Sequence, residues 1–430
     1  MKKGLLILLA ALLILSLAAC GGNEADIPKE TTSVSAYKSD KGYEAVNNIL
    51  SWEKINSIPI KRSDMTEDEM RQLVVDFYIF SKTFVWVADD EYTYQVADDA
   101  GTKTLIDGGV YAGFPYVSRG SGNVYRFMDF MDPQTGVIDI KAAGEESTLF
   151  GNQCSLTTFW AWARVSNSLT RAWTRDIVQR NGYLTVGTYT YPEDLRQFSE
   201  DYGTGAIIEE NGRDVMFASY AQLKIGDGLV CNNPGGHAIM CTGAPHIEYT
   251  ADGKIDPNNS YILISDQTRT TGWLNHTNES GDNYQMCGRI NFKMNFSSLL
   301  SDGYIPVTIP EFTGADPIEE TEITFSHSGD TITTEQLFSS SVTCNYSLSD
   351  IYAIITDSKG NEVYRAATRA RYAATMQLQF SAYADDGDVK YTVVWGDLDD
   401  LSDEETYTLK VVAQINTGER PTLWEGKFEQ

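Results

Sequence analysis

A cysteine that precedes an aromatic run carries the clearest chemistry in this sequence. Cys154 is followed by residues rich in Phe and Trp, His237 opens an apolar run further along the chain, and Asp266 ends the next such run. A thiol nucleophile is commonly assembled from a cysteine, a histidine and a polar residue that orients the histidine. The order of these three residues therefore predicts an enzyme.

The position of Cys154 favours a reactive thiolate. A free thiol is mostly protonated at neutral pH, and a helix N-terminus or a neighbouring imidazolium lowers its pKa. The pattern predicts a helix from Ser155 to about Gln179, with Cys154 at its head. Backbone N–H groups there, with Gln153 or Tyr116 nearby, are candidates to hold an oxyanion. The alternative is a buried core cysteine, the usual setting in an aromatic stretch.

The residue that orients His237 is predicted from strand alternation. Asp266 shares a face with Ile262 and Ile264, so its side chain is expected to point inward and to hold the imidazole. Gln267 would point the other way and takes this role if the register shifts by one residue. The competing interpretations are a surface histidine at a strand edge and a plain strand-end aspartate.

The elements that must position these residues form an α+β pattern. Length alone indicates about three domains. A capping box at Thr66 and Glu69 begins a helix with apolar residues at helical spacing, and the stretch between His237 and Tyr304 alternates as strands. A helical part followed by a sheet predicts an α+β domain over residues 45–310.

A second region follows a linker rich in Pro, Gly and acidic residues, predicted at residues 311–321. Residues 322–430 alternate as short strands, with a hairpin turn at residues 357–361. About seven strands in this length fit an all-β, immunoglobulin-like (Ig-like) sandwich. The sequence offers no catalytic constellation there, and a spacer, a partner-binding module and a wall anchor all stay open as its role.

The first residues are typical of a bacterial lipoprotein signal. Two lysines precede an apolar run, and residues 17–20 read Leu-Ala-Ala-Cys, which looks like a lipobox. We therefore expect residues 1–20 to be a signal peptide, Cys20 to carry the lipid, and residues 21–44 to be a flexible tether. The protein would then be anchored to the membrane at the bacterial cell surface, outside the cytoplasm. The alternative is an ordinary cleaved signal with an incidental cysteine.

The charge of the chain excludes one class of partner. The sequence has 60 acidic and 33 basic residues, a net charge of −27. Nucleic acids and anionic lipids are bound mainly through Lys and Arg that neutralise phosphates, so neither DNA nor RNA is expected as a partner.

Four further cysteines are expected to be buried free thiols. Cys231, Cys241, Cys287 and Cys344 have spacings that match no compact disulfide scaffold, although export permits disulfides. A zinc site from the first three with His237 is the metal alternative, but no Cys-x-x-Cys pair supports it. No metal and no cofactor are therefore predicted.

Three segments together resemble a known family. The sequence has Gly-Phe-Pro-Tyr at residues 113–116, Gln-Cys-Ser at 153–155 and Leu-Lys-Ile-Gly-Asp-Gly at 223–228, shortly before His237. This order is similar to the NlpC family of papain-like cysteine peptidases, which has a Pro-Tyr turn, an Asp-Cys-Ser-Gly motif, a Leu-Lys-Pro-Gly-Asp-Leu segment and then a histidine. The resemblance implies a papain-like fold for the first domain.

The resemblance also implies a reaction and a substrate. Amide hydrolysis would pass through a thioester, with Cys154 as nucleophile, His237 as general base and then acid, Asp266 as the orienting residue and Tyr116 lining the oxyanion or substrate site. Family members often cleave peptide links of peptidoglycan, a polymer that a surface lipoprotein would meet. The expected partner is therefore peptidoglycan or another peptide substrate.

Two other functions stay open. Gln153 stands where the family has aspartate and Leu156 where it has glycine, which motivates a catalytically silent, papain-like binding lipoprotein. A transglutaminase-like acyl transferase would form the same thioester and pass the acyl group to an amine.

Overall fold

The structure is a computed structural model that describes residues 55–97, 101–118, 120, 122–132, 135–145, 150–169, 174, 177, 182–191, 203–232, 235–268, 273–277, 283–367, 375–380, 401 and 406–429. The expected signal peptide (residues 1–20), its lipid-attachment residue Cys20 and the expected tether (residues 21–44) lie outside these residues. So do residues 381–400, which belong to the region expected to alternate as short strands.

Helices of the described residues are mostly short. In chain order they are α1 (Glu67–Thr83), α2 (Val124–Met128), α3 (Ile140–Glu145), α4 (Cys154–Trp162), α5 (Thr204–Asn211), α6 (Arg213–Tyr220), α7 (Phe296–Ser301), α8 (Pro310–Thr313) and α9 (Thr334–Phe338). Within this part of the chain, none of them combines the length and the apolar character that crossing a bilayer requires.

Strands outnumber helices, and the fold is mixed α+β as predicted. The strands are β1 (Val85–Ala88), β2 (Tyr92–Ala97), β3 (Gly101–Leu105), β4 (Val110–Ala112), β5 (Val137–Ile138), β6 (Leu184–Thr185), β7 (Gly228–Asn232), β8 (Gly236–Cys241), β9 (Tyr261–Asp266), β10 (Trp273–Thr277), β11 (Asn283–Cys287), β12 (Arg289–Asn295), β13 (Ile305–Thr308), β14 (Ile323–Phe325), β15 (Thr331–Thr333), β16 (Ser341–Thr356), β17 (Glu362–Ala367), β18 (Thr375–Gln379), β19 (Tyr407–Ile415) and β20 (Thr422–Glu429).

These strands form three larger sheets and one pair. The first half contains a five-stranded sheet in the order β10-β11-β4-β1-β5, a six-stranded sheet in the order β12-β9-β8-β7-β13-β6, and the pair β2-β3. The second half contains a seven-stranded sheet in the order β14-β16-β19-β20-β15, with β17 and β18 also paired to β16.

Helix α1 begins where the sequence predicts it. The Thr66 side chain accepts from the Glu69 N–H, and the Glu69 carboxylate accepts from the Thr66 N–H, so the predicted capping box is present. The apolar residues at helical spacing are all buried, and they are Met70, Leu73, Val74, Phe77 and Phe80. This face of α1 packs against α4, so α1 supports the helix that carries Cys154.

Helix α4 ends earlier than the sequence predicts. It stops at Trp162, although the pattern predicts helix to about Gln179. After Trp162 the backbone turns more tightly, because the Arg164 N–H donates to the Ala161 carbonyl three residues earlier. The Ser166 hydroxyl then accepts from the Leu169 N–H. Side-chain bonds of this kind compete with the helical ladder, so the helix gives way to turns.

The segment predicted as a linker is partly structured. It overlaps α8, which ends with Gly314 in the left-handed region at φ 71°. Phe312 and Ile318 are buried in the core of the first half. The guanidinium of Arg71 lies 4.3 Å from the centre of the Phe312 ring. Residues 311–321 therefore close the first half as well as connecting it to the second.

The second half is built around one long strand. β16 has 16 residues, pairing with β14 and β18 near its start and with β17 and β19 near its end. The predicted hairpin turn is present, because the Asp357 carboxylate accepts from the Lys359 and Asn361 N–H groups and Gly360 has φ 83°. The finer assignment to an Ig-like sandwich remains a prediction.

Buried polar contacts join the two halves. The Tyr352 hydroxyl of β16 donates to Asp129 Oδ2 at 2.5 Å. Arg164, which is 1% exposed, donates to the Tyr125 hydroxyl at 2.5 Å and to the carbonyls of Pro59 at 3.0 Å and Asn416 at 3.5 Å. Arg164 therefore links the end of α4 to the second half.

Replacing this arginine should destabilise the whole chain. In Arg164→Met the buried Tyr125 hydroxyl and the carbonyl of buried Asn416 lose their donor, so we expect the free energy of unfolding to fall by about 3 kcal/mol. Urea denaturation followed by tryptophan fluorescence measures this change. The matched control is Arg365→Met, because Arg365 is 42% exposed and its guanidinium donates to Glu362 three residues away. It should cost less than about 1 kcal/mol, and equal losses in the two variants would contradict the assignment.

Candidate active site

The thiol of Cys154 lies at the head of α4. Gln153 is the N-cap with extended backbone (φ −113°, ψ 170°), and Cys154 is the first helical residue. The N–H groups of Ser155 and Ala238 lie close enough to the Cys154 sulfur to lower its pKa. Because the N-terminal end of a helix carries partial positive charge, this position favours the thiolate.

His237 reaches the thiol because α4 packs on β8. It is the second residue of that strand, and its side chain is 14% exposed. The Cys154 thiol and the His237 imidazole lie close enough for each to shift the pKa of the other. The structure therefore brings together the thiol and the imidazole that the sequence pairs.

Asp266 stands on the other side of the imidazole. It lies on β9 opposite Ile239, which makes it the diagonal neighbour of His237 on β8. Asp266 Oδ2 is 3.3 Å from His237 Nε2, so Nδ1 is the ring nitrogen left for Cys154. As predicted from strand alternation, Asp266 is fully buried on the same face as Ile262 and Ile264.

The buried carboxylate has a second partner that the sequence analysis missed. Arg289 pairs directly with Asp266 across β9 and β12. Its Nη2 donates to Oδ2 at 2.6 Å, and its Nε and backbone N–H donate to Oδ1 at 3.3 and 3.0 Å. Such a pairing depends on which strands become neighbours, and nothing in the local sequence indicates it.

These contacts favour a thiolate–imidazolium pair. Burial raises the pKa of Cys154, but the positive charge and hydrogen bond of His237 outweigh it and lower that pKa overall. Burial likewise lowers the pKa of His237, and the Cys154 charge together with the hydrogen bond to Asp266 raises it overall. Burial opposes the ionised form of Asp266, yet His237 and Arg289 hold its pKa well below the usual range.

A buried lysine lies behind the carboxylate. Lys82, in the last turn of α1, is fully buried, and its Nζ donates to Gln267 Oε1 at 3.1 Å and lies 4.3 Å from the centre of the Tyr78 ring. Burial lowers its pKa to about 7, although nearby negative charges, of which Asp266 is the largest, oppose this. The sequence does hold a signal, because Lys82 follows Val74 and Tyr78 at helical spacing on the buried face.

Gln267, the predicted substitute for Asp266, has other partners. Besides accepting from Lys82, its amide donates to the Phe114 carbonyl at 2.6 Å. In the structure Asp266 contacts His237, so β9 has the register that was predicted first.

The two residues predicted near the oxyanion flank the head of α4. Gln153 is 6% exposed, and its side chain makes no capping bond to the first turn. Tyr116 is 8% exposed and forms an isolated parallel bridge with Asn152. The backbone at Tyr116 therefore runs beside the residues that lead into Cys154.

The remaining described cysteines are not in disulfides. Cys231, Cys241, Cys287 and Cys344 are buried free thiols, as predicted. Burial raises the pKa of the last three. Within the described ranges, no three His, Cys, Asp or Glu side chains come together in a way that could hold a metal ion, so the zinc alternative gains no support.

Access to the sulfur is narrow. Cys154 is 4% exposed, and the edge of the His237 ring is the more open part of the pair. Surface cavities of about 590 and 380 Å³ are lined by residues 333–338 and 246–259, and neither includes a member of the site. The side chains that cover the sulfur therefore limit which groups can approach it.

Comparison with known proteins adds no relative. No protein-family profile, curated protein or solved structure matches this chain.

The pH dependence of Cys154 alkylation tests the ion pair. The wild-type rate should reach half its plateau below the usual thiol pKa of about 8.5, because His237 stabilises the thiolate. In His237→Ala burial remains the largest effect and is opposed only by the N–H groups of Ser155 and Ala238, so the midpoint should move above that value. Mass spectrometry after iodoacetamide treatment follows Cys154 alone. His246→Ala removes an exposed histidine that pairs with Glu248 and should leave the profile unchanged.

Gly288 should be irreplaceable beside Asp266. Its φ is 113°, and an added Cβ would lie 2.2 Å from the Asp266 carbonyl oxygen. Gly288→Ala should therefore lower the free energy of unfolding by about 2 kcal/mol and slow Cys154 alkylation. Gly253→Ala is the control, because its φ of 79° gives comparable backbone strain while an added Cβ would have no atom within 4 Å. The difference between the two variants therefore measures the effect of the collision with the Asp266 carbonyl oxygen. A loss no larger than that of Gly253→Ala would contradict this reasoning.

Proposed function

We propose that this protein is a cysteine peptidase or amidase that hydrolyses peptide or amide bonds through a thioester. The observation that carries the proposal is the unbroken series of contacts from the Cys154 thiol to the His237 ring and from that ring to Asp266. Such a series supplies a nucleophile, a base and an orienting group. The papain-like assignment of residues 45–310 and the Ig-like assignment of residues 322–430 belong to the same proposal.

The first half of the reaction forms an acyl-enzyme. The Cys154 thiolate attacks the carbonyl carbon, and the carbonyl oxygen takes the negative charge. N–H groups at the head of α4, with the Gln153 amide and the Tyr116 region, are proposed to hold that oxygen. His237 gives its proton to the leaving nitrogen, the carbon–nitrogen bond breaks, and a thioester and a free amine result.

The second half restores the enzyme. His237 is now neutral and takes a proton from a water molecule as that water attacks the thioester carbonyl. The carbon–sulfur bond breaks, so the acid product leaves and the Cys154 thiolate is formed again beside the His237 imidazolium. Asp266 keeps Nε2 protonated throughout, so that Nδ1 can exchange the proton with sulfur, substrate and water.

The proposed substrate is a cell-wall peptide. The resemblance to NlpC-type peptidases and the lipoprotein-like first 20 residues support an enzyme anchored at the bacterial surface, where peptidoglycan is within reach. No cofactor is part of the proposed mechanism.

The burial of the thiol favours one rival function. With 4% of Cys154 exposed, the site also fits a catalytically silent binding lipoprotein that keeps the arrangement without turnover. The two functions differ in one measurable event, because only the enzyme forms an acyl-thioester on Cys154.

Hydrolysis of purified peptidoglycan and of its stem peptides tests the proposal. Cys154→Ala should abolish release of new amino groups, a loss of more than about 10³-fold, because the nucleophile is removed. Cys344→Ala removes a buried thiol in the second half and should keep full activity. Equal activity of wild type and Cys154→Ala would contradict the proposal, and an added amine acceptor that captures the acyl group would identify a transferase instead.

A further inference from the structure

We propose that Arg289 is a positioning residue of this site: its guanidinium fixes the orientation and charge of Asp266, and through Asp266 it sets the proton affinity of His237. The reaction it serves is that of the proposed function, on which this inference rests. The contacts that carry it do not depend on the substrate.

The first argument is the complete occupation of the carboxylate. An ionised carboxylate has about four acceptor positions, and Asp266 receives four hydrogen bonds. Three come from Arg289 and one from His237. The shortest, 2.6 Å from Nη2, ends on the same Oδ2 that faces His237 at 3.3 Å. The arginine therefore determines where the oxygen that orients the imidazole lies.

The second argument is that Arg289 is itself held in place. It pairs directly with Asp266 across the two strands, and its guanidinium lies 3.8 Å from the centre of the Phe292 ring. The planar guanidinium, with its forked pair of donors, is therefore fixed by the strand pairing on one side and by the Phe292 ring on the other. A planar guanidinium held in this way keeps a carboxylate in one orientation, which a flexible ammonium does not.

The third argument is charge. The titratable groups that interact with Asp266 from the surrounding elements are Tyr78 and Lys82 on α1, His237 on β8, Cys287 on β11 and Arg289 on β12. Among these described groups Lys82 is a further cation, and its Nζ donates to Gln267. Asp302 in turn lies near enough to Arg289 for the charge of that guanidinium to act on the pKa of Asp302.

The sign of the expected effect follows from this arrangement. Removing the positive charge of Arg289 makes the site more negative, which raises the pKa of Cys154 and of His237 together. The pH range in which thiolate and imidazolium coexist should therefore move upward. A residue that only stabilised the fold would change the melting temperature and leave that range where it is.

The experiment measures Cys154 alkylation against pH in Arg289→Met, Arg289→Lys and Lys293→Gln, each with its melting temperature. Arg289→Met should move the midpoint up by about one unit, so the rate on the acid side falls about tenfold. Arg289→Lys keeps the charge and loses the fork, and should move the midpoint less than half as far. Lys293→Gln is the matched control, because Lys293 lies on the same strand and, opposite Leu263, on the other face.

A second set of variants tests the route through Asp266. In an Asp266→Ala background, Arg289→Met should change the rate by less than about twofold, because the partly exposed guanidinium is then no longer held beside His237 and solvent screens its charge. A full tenfold effect in that background would overturn the inference, as would an unshifted midpoint in Arg289→Met. Should Arg289→Met not fold, Arg289→Lys in the two backgrounds decides, and equal shifts in both would overturn it.

This readout separates the inference from the proposed function. If the wild type hydrolyses no peptide but the alkylation midpoint of Cys154 shifts when Arg289 is replaced, the proposed function is contradicted and the role of Arg289 is supported. If the wild type hydrolyses peptides but replacing Arg289 leaves the alkylation midpoint unchanged, the proposed function is supported and the role of Arg289 is contradicted.

Discussion

The ionised carboxylate of Asp266 is the charge on which this site depends. A fully buried carboxylate is strongly unfavourable unless it is paired and its acceptor positions are filled. Arg289 and His237 fill them here, and His237 in turn faces the thiol at the head of α4. Negative and positive groups thus alternate from sulfur to guanidinium. Each is stabilised by its neighbours, so the loss of any one changes the proton affinity of all the others.

The six-stranded sheet is what brings these groups into line. His237, Asp266 and Arg289 lie on three neighbouring antiparallel strands, and the register places the last two directly opposite each other. A shift of one residue in β9 would turn Asp266 to the other face and bring Gln267 inward. Ile262 and Ile264 oppose such a shift, because it would also move two buried apolar side chains out of the core.

Local patterns predicted the parts of this structure that are set locally. The capping box at Thr66, the inward face of Asp266 and the hairpin at Asp357 follow from short-range spacing and hydrogen bonding. Arg289 and Lys82 were not predicted as site residues, because a charged side chain in one sequence is expected to face solvent unless its partner is known. The end of α4 was predicted too late, because the apolar pattern does not show that the chain turns at Arg164 or that the Ser166 hydroxyl accepts from the Leu169 N–H.

The position of Arg164 means that the two halves cannot act as independent modules. Its guanidinium lies just behind the helix whose opposite end holds the thiol, and it bonds a carbonyl of the second half. Any pull on the C-terminal sheet, such as one from a tethered ligand, is therefore transmitted to the tail of that helix. A chain cut short after residue 321 would expose this arginine and remove the contact that supports the C-terminal end of α4.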